Sequence, residues 1–279
     1  MAMRELDQVA RVNLEVWNRE VARRAHYTQP VLDLPADDLR AYAAGKTDTP
    51  PPKFEWLPDR RGLTSVAGLD VLCLASGGGA QSAIFALLGA SVTVSDLTPG
   101  QLEADRVAAE HYGYDITTVQ AYMRDLSMFA DESFDLVEQG ISIVFVPDVR
   151  EVYREVYRVL RPGGRYSVAH CNPATFPVCF DGTANGWDGV GYRISEPYIG
   201  GPVRRRADGS ENMTEGEITG EFRHLLGDIF GGLVEAGFVI KGVWEDYRNL
   251  VHEGQPSPGS EAHMHQRIAS YFEVLSEKC

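Results

Sequence analysis

Short apolar runs alternate with longer segments of helical periodicity through the middle of the chain. The apolar runs predict buried strands, and the segments between them predict helices with one apolar face. The predicted strands cover residues 70–75, 91–95, 116–121, 134–139 and 165–169, and the predicted helices cover residues 81–88, 99–112 and 148–160. Gly113 is expected to end the second of these helices, and Arg161-Pro162-Gly163-Gly164 the third. Strands and helices in this alternation predict a parallel sheet covered on both faces.

The segment before this alternation has a different pattern. Residues 4–27 carry apolar positions at helical spacing, and residues 36–44 predict a short second helix. A proline-rich linker follows, with Pro50-Pro51-Pro52 at its centre. We therefore expect residues 1–61 to form an N-terminal helical cap or lid, and residues 62–279 to form the core domain.

A second departure follows the fifth predicted strand. Residues 171–220 are rich in glycine, proline, aspartate and aromatic residues and show little periodicity. This stretch is too long for a plain loop, so we expect an insertion that covers the active site. After it, the pattern predicts a helix over 221–236 and strands over 239–244 and 268–275.

The charge balance limits the partners of the chain. Its 279 residues carry a formal net charge of −14, and the only dense basic run is Arg204-Arg205-Arg206. A nucleic-acid surface needs clustered lysine and arginine, so no nucleic-acid partner is expected. The acidity slightly favours a cationic ligand through long-range attraction.

Targeting and cysteine signals are weak. We expect a cytoplasmic protein without a membrane span, because the chain has no apolar run of about 18 residues and no apolar segment typical of a signal peptide. The four cysteines show no CxxC spacing, so neither a disulfide framework nor a metal site is expected. The oligomeric state stays open, with a homodimer as one alternative.

The candidate chemistry begins at the turn Ser76-Gly77-Gly78-Gly79 after the first strand. Glycines there let a ligand approach the backbone, at the start of a helix. Asp96 ends the second strand, where a carboxylate can accept both hydroxyl hydrogens of a ribose. The alternative role of Asp96 is to cap the next helix, and both roles are compatible. An NAD site would need a glycine at the sixth position from Gly77, which is Ser82.

The motifs in this order resemble those of the class I S-adenosylmethionine-dependent methyltransferases, especially the bacterial type 11, ubiquinone-biosynthesis-like group. The similar segments are residues 70–79, 94–98, 124–126 and 134–137, and Val156-Tyr157-Arg158-Val159-Leu160-Arg161-Pro162-Gly163-Gly164, which is the most specific. The resemblance implies a Rossmann-like, seven-stranded sheet whose last strand, formed by 268–275, is antiparallel. It also implies methyl transfer from S-adenosylmethionine, leaving S-adenosylhomocysteine.

The same resemblance implies the cofactor contacts. They are expected from Ala75, Ser76, Gly77, Gly79, Asp96, Leu97, Gln101, Asp125, Leu126 and Glu138. The adenine is expected between Leu97 and Leu126, with Asp125 accepting its amino hydrogen. Two positions depart from the family pattern, which has Asp or Glu at 73 and Gly at 75, whereas this chain has Cys73 and Ala75. Ala75 permits a close approach of the cofactor if its φ is negative.

Three side chains at strand or helix ends are candidates for catalysis. Glu138 ends the fourth strand, His170 follows the fifth, and His224 opens the helix after the insertion. Each can orient an acceptor or take a proton from it. The alternative for each is a structural role with a hydrogen bond to nearby groups.

The acceptor is expected beneath the cap and the insertion. The candidate substrate residues are Trp17, Tyr27, Asn172, Trp187 and Tyr192. Their aromatic character favours a small acceptor that is aromatic or contains nitrogen, methylated at carbon, nitrogen or oxygen. Methylation of an indole carbon is one candidate. The alternatives are a methyltransferase-like protein that binds cofactor without catalysis and, less favoured, a nucleic-acid methyltransferase.

Overall fold

The computed structural model describes residues 6–47, 65–175, 187–194, 197–202, 220–245 and 256–279. The strands of its main sheet are β1 (Asp70–Leu74), β2 (Ser91–Asp96), β3 (Ile116–Gln120), β4 (Phe134–Gln139), β5 (Leu160–Cys171), β8 (Phe238–Glu245) and β9 (Tyr271–Lys278), and the two-residue strands β6 (Gly201–Pro202) and β7 (Phe222–Arg223) form a separate ribbon. The main sheet has seven strands in the order β3-β2-β1-β4-β5-β9-β8. Strand β9 pairs antiparallel with both β5 and β8, whereas the pairs among β1 to β5 are parallel. The predicted Rossmann-like sheet with an antiparallel last strand is confirmed.

Helices cover both faces of this sheet. They are α1 (Gln8–Ala22), α2 (Ala36–Ala43), α3 (Ala80–Leu87), α4 (Pro99–Tyr112), α5 (Val149–Val159), α6 (Leu226–Ala236) and α7 (Glu261–His265), with 3-10 turns at His26–Thr28 and Ile141–Phe145. One hydrophobic core includes Val152 and Leu233, from α5 and α6, and the other includes Phe85 and Leu102, from α3 and α4. Because β1 lies between these cores, all its residues from Val71 to Leu74 are buried.

Local chemistry fixes the helix boundaries next to the sheet. Helix α4 has Pro99 at its first position and ends at Gly113, whose φ of 70° is left-handed. Helix α5 begins after Asp148, whose carboxylate accepts the N–H of Arg150 at 3.0 Å. The sequence predicted these boundaries because proline, glycine and capping side chains act over a few residues.

Several boundaries differ from the sequence prediction, including the last strand, which was expected over 268–275 and is β9 at Tyr271–Lys278. The segment expected as one helix over 4–27 contains α1 and the 3-10 turn, separated by Arg24 with a φ of 58°. The helix expected over 221–236 begins only at Leu226, because Phe222 and Arg223 pair with Pro202 and Gly201. The turn at 161–164 was expected to precede the fifth strand but lies within β5, where a register shift in the β4–β5 pairing accommodates it.

The N-terminal segment is tied to the core by polar contacts. Arg124 bridges Asp7, at the start of α1, and Glu151, at the start of α5. The Tyr112 hydroxyl accepts the N–H of Leu34 and donates to the carbonyl of Val31, both at 2.9 Å. These contacts hold the segment against helix α4 and the loop after β3, and its division from the core at residue 61 stays a prediction. No helix among the described ranges is long and apolar enough to cross a membrane.

Candidate active site

A cavity of about 460 Å³ lies at the carboxyl ends of the parallel strands. Its described lining comes from the glycine turn, the ends of β2 to β5, helix α1 and the start of β9. The lining residues are Asn13, Trp17, Tyr27, Ala75, Ser76, Gly77, Gln81, Asp96, Leu97, Thr98, Gln101, Ala121, Tyr122, Met123, Gly140, Ile141, Ser142, Val144, Phe145, Cys171, Glu221 and Tyr271. The carboxyl end of a parallel sheet is where ligands bind in α/β folds, so this cavity is the candidate active site.

The glycine turn has a backbone that other residues rarely adopt. Gly77, Gly78 and Gly79 have φ values of 46°, 80° and 78°. A Cβ on Gly77 would lie 2.6 Å from Nε2 of Gln101, and one on Gly78 would lie 2.8 Å from the carbonyl oxygen of Tyr27. The turn therefore fits closely between helix α4 and the N-terminal segment.

Ala75 precedes these glycines and has a φ of 47°. The condition of a negative φ, under which alanine permits a close approach, is not met. A left-handed backbone places the Cβ near the following carbonyl oxygen, which costs about 1–2 kcal/mol for an L-residue. The structure thus explains why glycine suits position 75 better than alanine.

Replacing Ala75 with glycine is expected to stabilise the protein. Relief of the left-handed strain, less the extra chain entropy of glycine, leaves a gain of about 1 kcal/mol, or roughly 3 °C in melting temperature. Thermal unfolding checks this value. The control is Ala86→Gly, within helix α3, which should lose about 1 kcal/mol because its backbone is helical. A melting temperature for Ala75→Gly at or below that of the wild type would contradict the assigned strain.

Asp96 lies at the end of β2 with 8% of its surface exposed. Its Oδ1 accepts the N–H of Thr98 at 2.8 Å, so it organises the start of helix α4 while lining the cavity. Burial raises the pKa of Asp96 to about 6, against hydrogen bonds from Thr98, Gly77 and Leu97 that favour the charged form. At neutral pH it is a carboxylate facing the cavity, the state that ribose hydroxyls require.

Helix α1 and the 3-10 turn after β4 form another wall. The carbonyl of Phe145 accepts the side-chain amide of Asn13 at 3.0 Å and the hydroxyl of Tyr122 at 3.3 Å. Trp17 contacts the rings of Phe145 and Tyr27 edge-on, with centroids 5.4 and 5.6 Å apart. This wall gives the cavity a largely aromatic surface.

The other end of the cavity lies beside β5 and β9. Cys171 ends β5 and pairs with Tyr271 of β9, and Glu221 precedes β7. Strands β1 and β4 separate β2 from β5, so Cys171 lies roughly 14 Å from Asp96 along the sheet edge, from a strand spacing of about 4.8 Å. Asp96 and Glu221 are the carboxylates of the described lining, which contains no lysine, arginine or histidine.

A neighbouring cavity of about 770 Å³ lies between residues 26–34 and helix α3. It shares Tyr27, Ser76, Gly77 and Gln81 with the first cavity. The glycine turn and Tyr27 therefore separate two spaces, and the first contains the ends of β2 to β5.

The three predicted catalytic side chains lie outside the described lining of the first cavity. His170 is 1% exposed, lies 3.3 Å from the Tyr153 hydroxyl and stacks on Phe272, and burial lowers its pKa to about 3 with a further contribution from His224. His224 is bonded to the carbonyl of Val146 at 2.8 Å, and burial lowers its pKa. These environments favour structural roles, and catalysis by either histidine stays a prediction.

Glu138 is buried within the sheet. It pairs in register with Cys73 of β1 and Ser167 of β5, and 9% of its surface is exposed. Its charge adds to burial in raising the pKa of the Cys73 thiol. Its expected contacts with cofactor and acceptor stay a prediction, while Gly140, two residues later, lines the cavity.

Trp17 and Tyr27 line the cavity, but the other candidate substrate residues lie elsewhere. Asn172 donates to the carbonyl of Ala269 at 2.8 Å and accepts the N–H of Ala174 at 3.0 Å. Trp187 and Tyr192 pack on His263, which lies 2.6 Å from the Tyr192 hydroxyl. Trp187 and Tyr192 of the insertion are therefore held against the segment of helix α7.

Some of the expected cofactor residues line the cavity, and others lie outside its described lining. Ala75, Ser76, Gly77, Asp96, Leu97 and Gln101 line the cavity. Gly79 instead packs on helix α4, since its Cβ would lie 3.0 Å from the carbonyl of Ala104, and Leu126 is fully buried in the core. Asp125 caps the N–H of Ser127 at 3.2 Å. Tyr122 and Met123, which the sequence analysis missed, line the cavity just after β3.

Comparison with known proteins gives consistent matches. A family described as a methyltransferase domain, of the type 11 group, matches residues 72–168. The uncharacterized methyltransferase YbaJ of Bacillus subtilis is 38% identical over 197 residues, covering 71% of this chain and 74% of the relative. The ubiquinone biosynthesis O-methyltransferase of Pseudomonas savastanoi is 31% identical over 131 residues, which are 46% of this chain and 55% of that enzyme.

A solved structure shows the same fold. It is an S-adenosylmethionine-dependent methyltransferase of Mesorhizobium loti, with a TM-score of 0.57 and 23% sequence identity. The match covers 87% of this chain and 100% of that one.

Proposed function

Because the chain belongs to the type 11 S-adenosylmethionine-dependent methyltransferases, we propose that it methylates a small acceptor held at the β5–β9 end of the cavity. When bound, S-adenosylmethionine supplies an electrophilic methyl carbon on a sulfonium. The chain's task is to hold acceptor and cofactor in line and to exclude water. The residues at one end of the cavity suit the cofactor, and those at the other end suit the acceptor.

The β2 end of the cavity suits the nucleoside. Gly77 lets the Gln101 side chain pack closely against the turn, and the Asp96 carboxylate can accept two ribose hydroxyls. Leu97, Tyr122 and Met123 supply apolar surface for the adenine. This placement supports the predicted cofactor roles of Ala75, Ser76, Gly77, Asp96, Leu97 and Gln101.

The β5–β9 end of the cavity indicates the class of acceptor, and the residues that line it are the observation that supports the proposal. Its described lining combines Tyr271 and Cys171 with the Glu221 carboxylate and offers no cation to pair with a phosphate or a carboxylate. A neutral or cationic acceptor, aromatic or nitrogen-containing, matches that surface and the net charge of −14. Glu221 is suited to orient a hydroxyl or amine and to take its proton. An indole carbon remains one candidate acceptor.

The test is transfer of a labelled methyl group to fractionated small metabolites. We expect label in a low-molecular-weight, aromatic or nitrogenous product with the wild type, and far less label with Asp96→Ala at limiting cofactor. Label in RNA or DNA would overturn the small-molecule assignment. Binding of S-adenosylhomocysteine without transfer to any fraction would favour the alternative of a protein that binds the cofactor without catalysis.

Filling the acceptor end of the cavity is expected to slow methyl transfer without weakening cofactor binding. Cys171→Phe adds a ring beside Tyr271, far from Asp96, and should lower the rate of transfer about tenfold because displaced acceptors lose alignment. The affinity for S-adenosylhomocysteine, measured by calorimetry, should stay within about threefold of the wild type. The matched control is Cys279→Phe, at an exposed residue. Equal transfer rates for Cys171→Phe and the wild type would place the acceptor elsewhere.

A further inference from the structure

A buried carboxylate outside the cavity is bonded to the helix that the glycine turn opens. Asp105 belongs to helix α4 and is 0% exposed. Its Oδ1 accepts the hydroxyl of Ser82, in the first turn of helix α3, at 2.5 Å. Its Oδ2 has no hydrogen-bond partner among the described residues. Burying a charged group with one open oxygen is costly, so its presence needs an explanation.

The packing of α4 indicates what Asp105 does. A Cβ on Gly77 would meet Gln101, and a Cβ on Gly79 would meet the carbonyl of Ala104 at 3.0 Å and the Cβ of Ala108 at 3.2 Å. These residues of α4 lie one and two helical turns apart, so one face of α4 supports the turn at Gly77 and Gly79. Asp105 lies on that face and bonds to the helix that the turn opens.

Position 73 faces the same buried space. Cys73 is 0% exposed, and burial raises the pKa of its thiol, with further contributions from the charges of Glu138 and Asp105. A neutral thiol on β1 cannot anchor the turn as a carboxylate can. We propose that Asp105 is the positioning residue that holds the glycine turn and the start of α3 in the conformation that binds the cofactor. The proposal concerns the cofactor half of the site and holds whichever acceptor is methylated.

Calorimetric titration of the full chain with S-adenosylhomocysteine tests this role. Asp105→Asn should bind about tenfold more weakly, since the Ser82 bond loses its charged acceptor. The control Glu110→Gln removes a charge from an exposed position of the same helix and should stay within twofold. Cys73→Asp combined with Asp105→Asn should return to within threefold of the wild type, because the carboxylate then reaches the same space from β1. Wild-type affinity for Asp105→Asn, or no recovery in a folded double variant, would overturn the proposal.

The pH dependence of S-adenosylhomocysteine binding distinguishes a positioning role of Asp105 from a contribution to overall stability. Burial raises the pKa of Asp105 to about 7, with a further increase from Asp96 and opposing effects of Ser82 and Arg106. Cys73 and Tyr114 also face it, and both have raised pKa values that keep them neutral. Affinity should therefore increase through pH 7 in the wild type. In Asp105→Asn, the affinity should change only with the protonation of Asp96, near pH 6.

A variant with no change of charge covers the case in which Asp105→Asn does not fold. Ser82→Ala removes the hydroxyl that Asp105 accepts and should weaken binding at least threefold. Unchanged affinity in folded Ser82→Ala would overturn the proposal by itself.

Discussion

Asp96→Ala is expected to weaken S-adenosylhomocysteine binding about 100-fold. Two ribose hydroxyls donating to one carboxylate contribute about 3 kcal/mol in total, since bonds to charged groups are worth about 1.5 kcal/mol or more each. The measurement is calorimetric titration at pH 8, above the raised pKa of about 6. In the wild type, affinity should fall as pH falls through that value, because protonation removes an acceptor.

Two variants make this result specific. Asp96→Asn keeps an oxygen for the N–H of Thr98, so helix α4 should remain capped while affinity falls about tenfold. Asp115→Ala removes an exposed carboxylate after helix α4 and should bind like the wild type. An Asp96→Ala protein that is folded and binds within threefold of the wild type would show that Asp96 serves only the helix.

His170→Gln is expected to make the protein less sensitive to acid. The folded-state pKa of His170 is about 3, below the ordinary 6.5, so the unfolded state binds a proton that the folded state excludes. Stability from this residue is fully present above pH 6.5 and is lost as pH falls towards 3. At pH 5 the loss amounts to about 2 kcal/mol, from 1.5 pH units at 1.36 kcal/mol each.

The measurement is denaturant unfolding of both proteins at pH 7 and pH 5. Asp96 and Asp105 have raised pKa values of about 6 and 7, so their protonation stabilises the folded state as pH falls. Both proteins retain these two residues, so their effect cancels when the wild type is compared with His170→Gln. We expect the wild type to lose about 2 kcal/mol more than His170→Gln. Equal losses in the two proteins would mean that His170 titrates normally in the folded state.

The sheet and the cofactor end of the cavity were predictable because their signals are local. Pro99 and Gly113 act within a few residues to set the limits of α4, and a glycine turn after a buried strand points to the carboxyl edge. The position of Asp96 follows from the same local pattern. Each of these features needs only the sequence around it.

The acceptor end was not predictable because adjacent strand residues point to opposite faces. His170 was expected to follow the fifth strand, but it lies within β5, and Cys171, one residue later, lines the cavity. At this end β5 carries no periodic pattern that would indicate which of the two residues faces the cavity. Asn13 and Tyr271 reach the cavity from segments far away in sequence, so only the tertiary structure brings them there.

The antiparallel pairing of β9 has a consequence for the order in which the protein assembles. Among the strands that the structure describes, β8 pairs with the sheet only through β9, although β8 precedes β9 in the chain. On a ribosome, β1 to β5 emerge first, and β8 then has no neighbour until residues 271–278 follow. During that interval the edge of β5 and both edges of β8 expose backbone donors and acceptors that other chains can pair with. Protection of nascent chains from aggregation therefore matters most before β9 has emerged and paired.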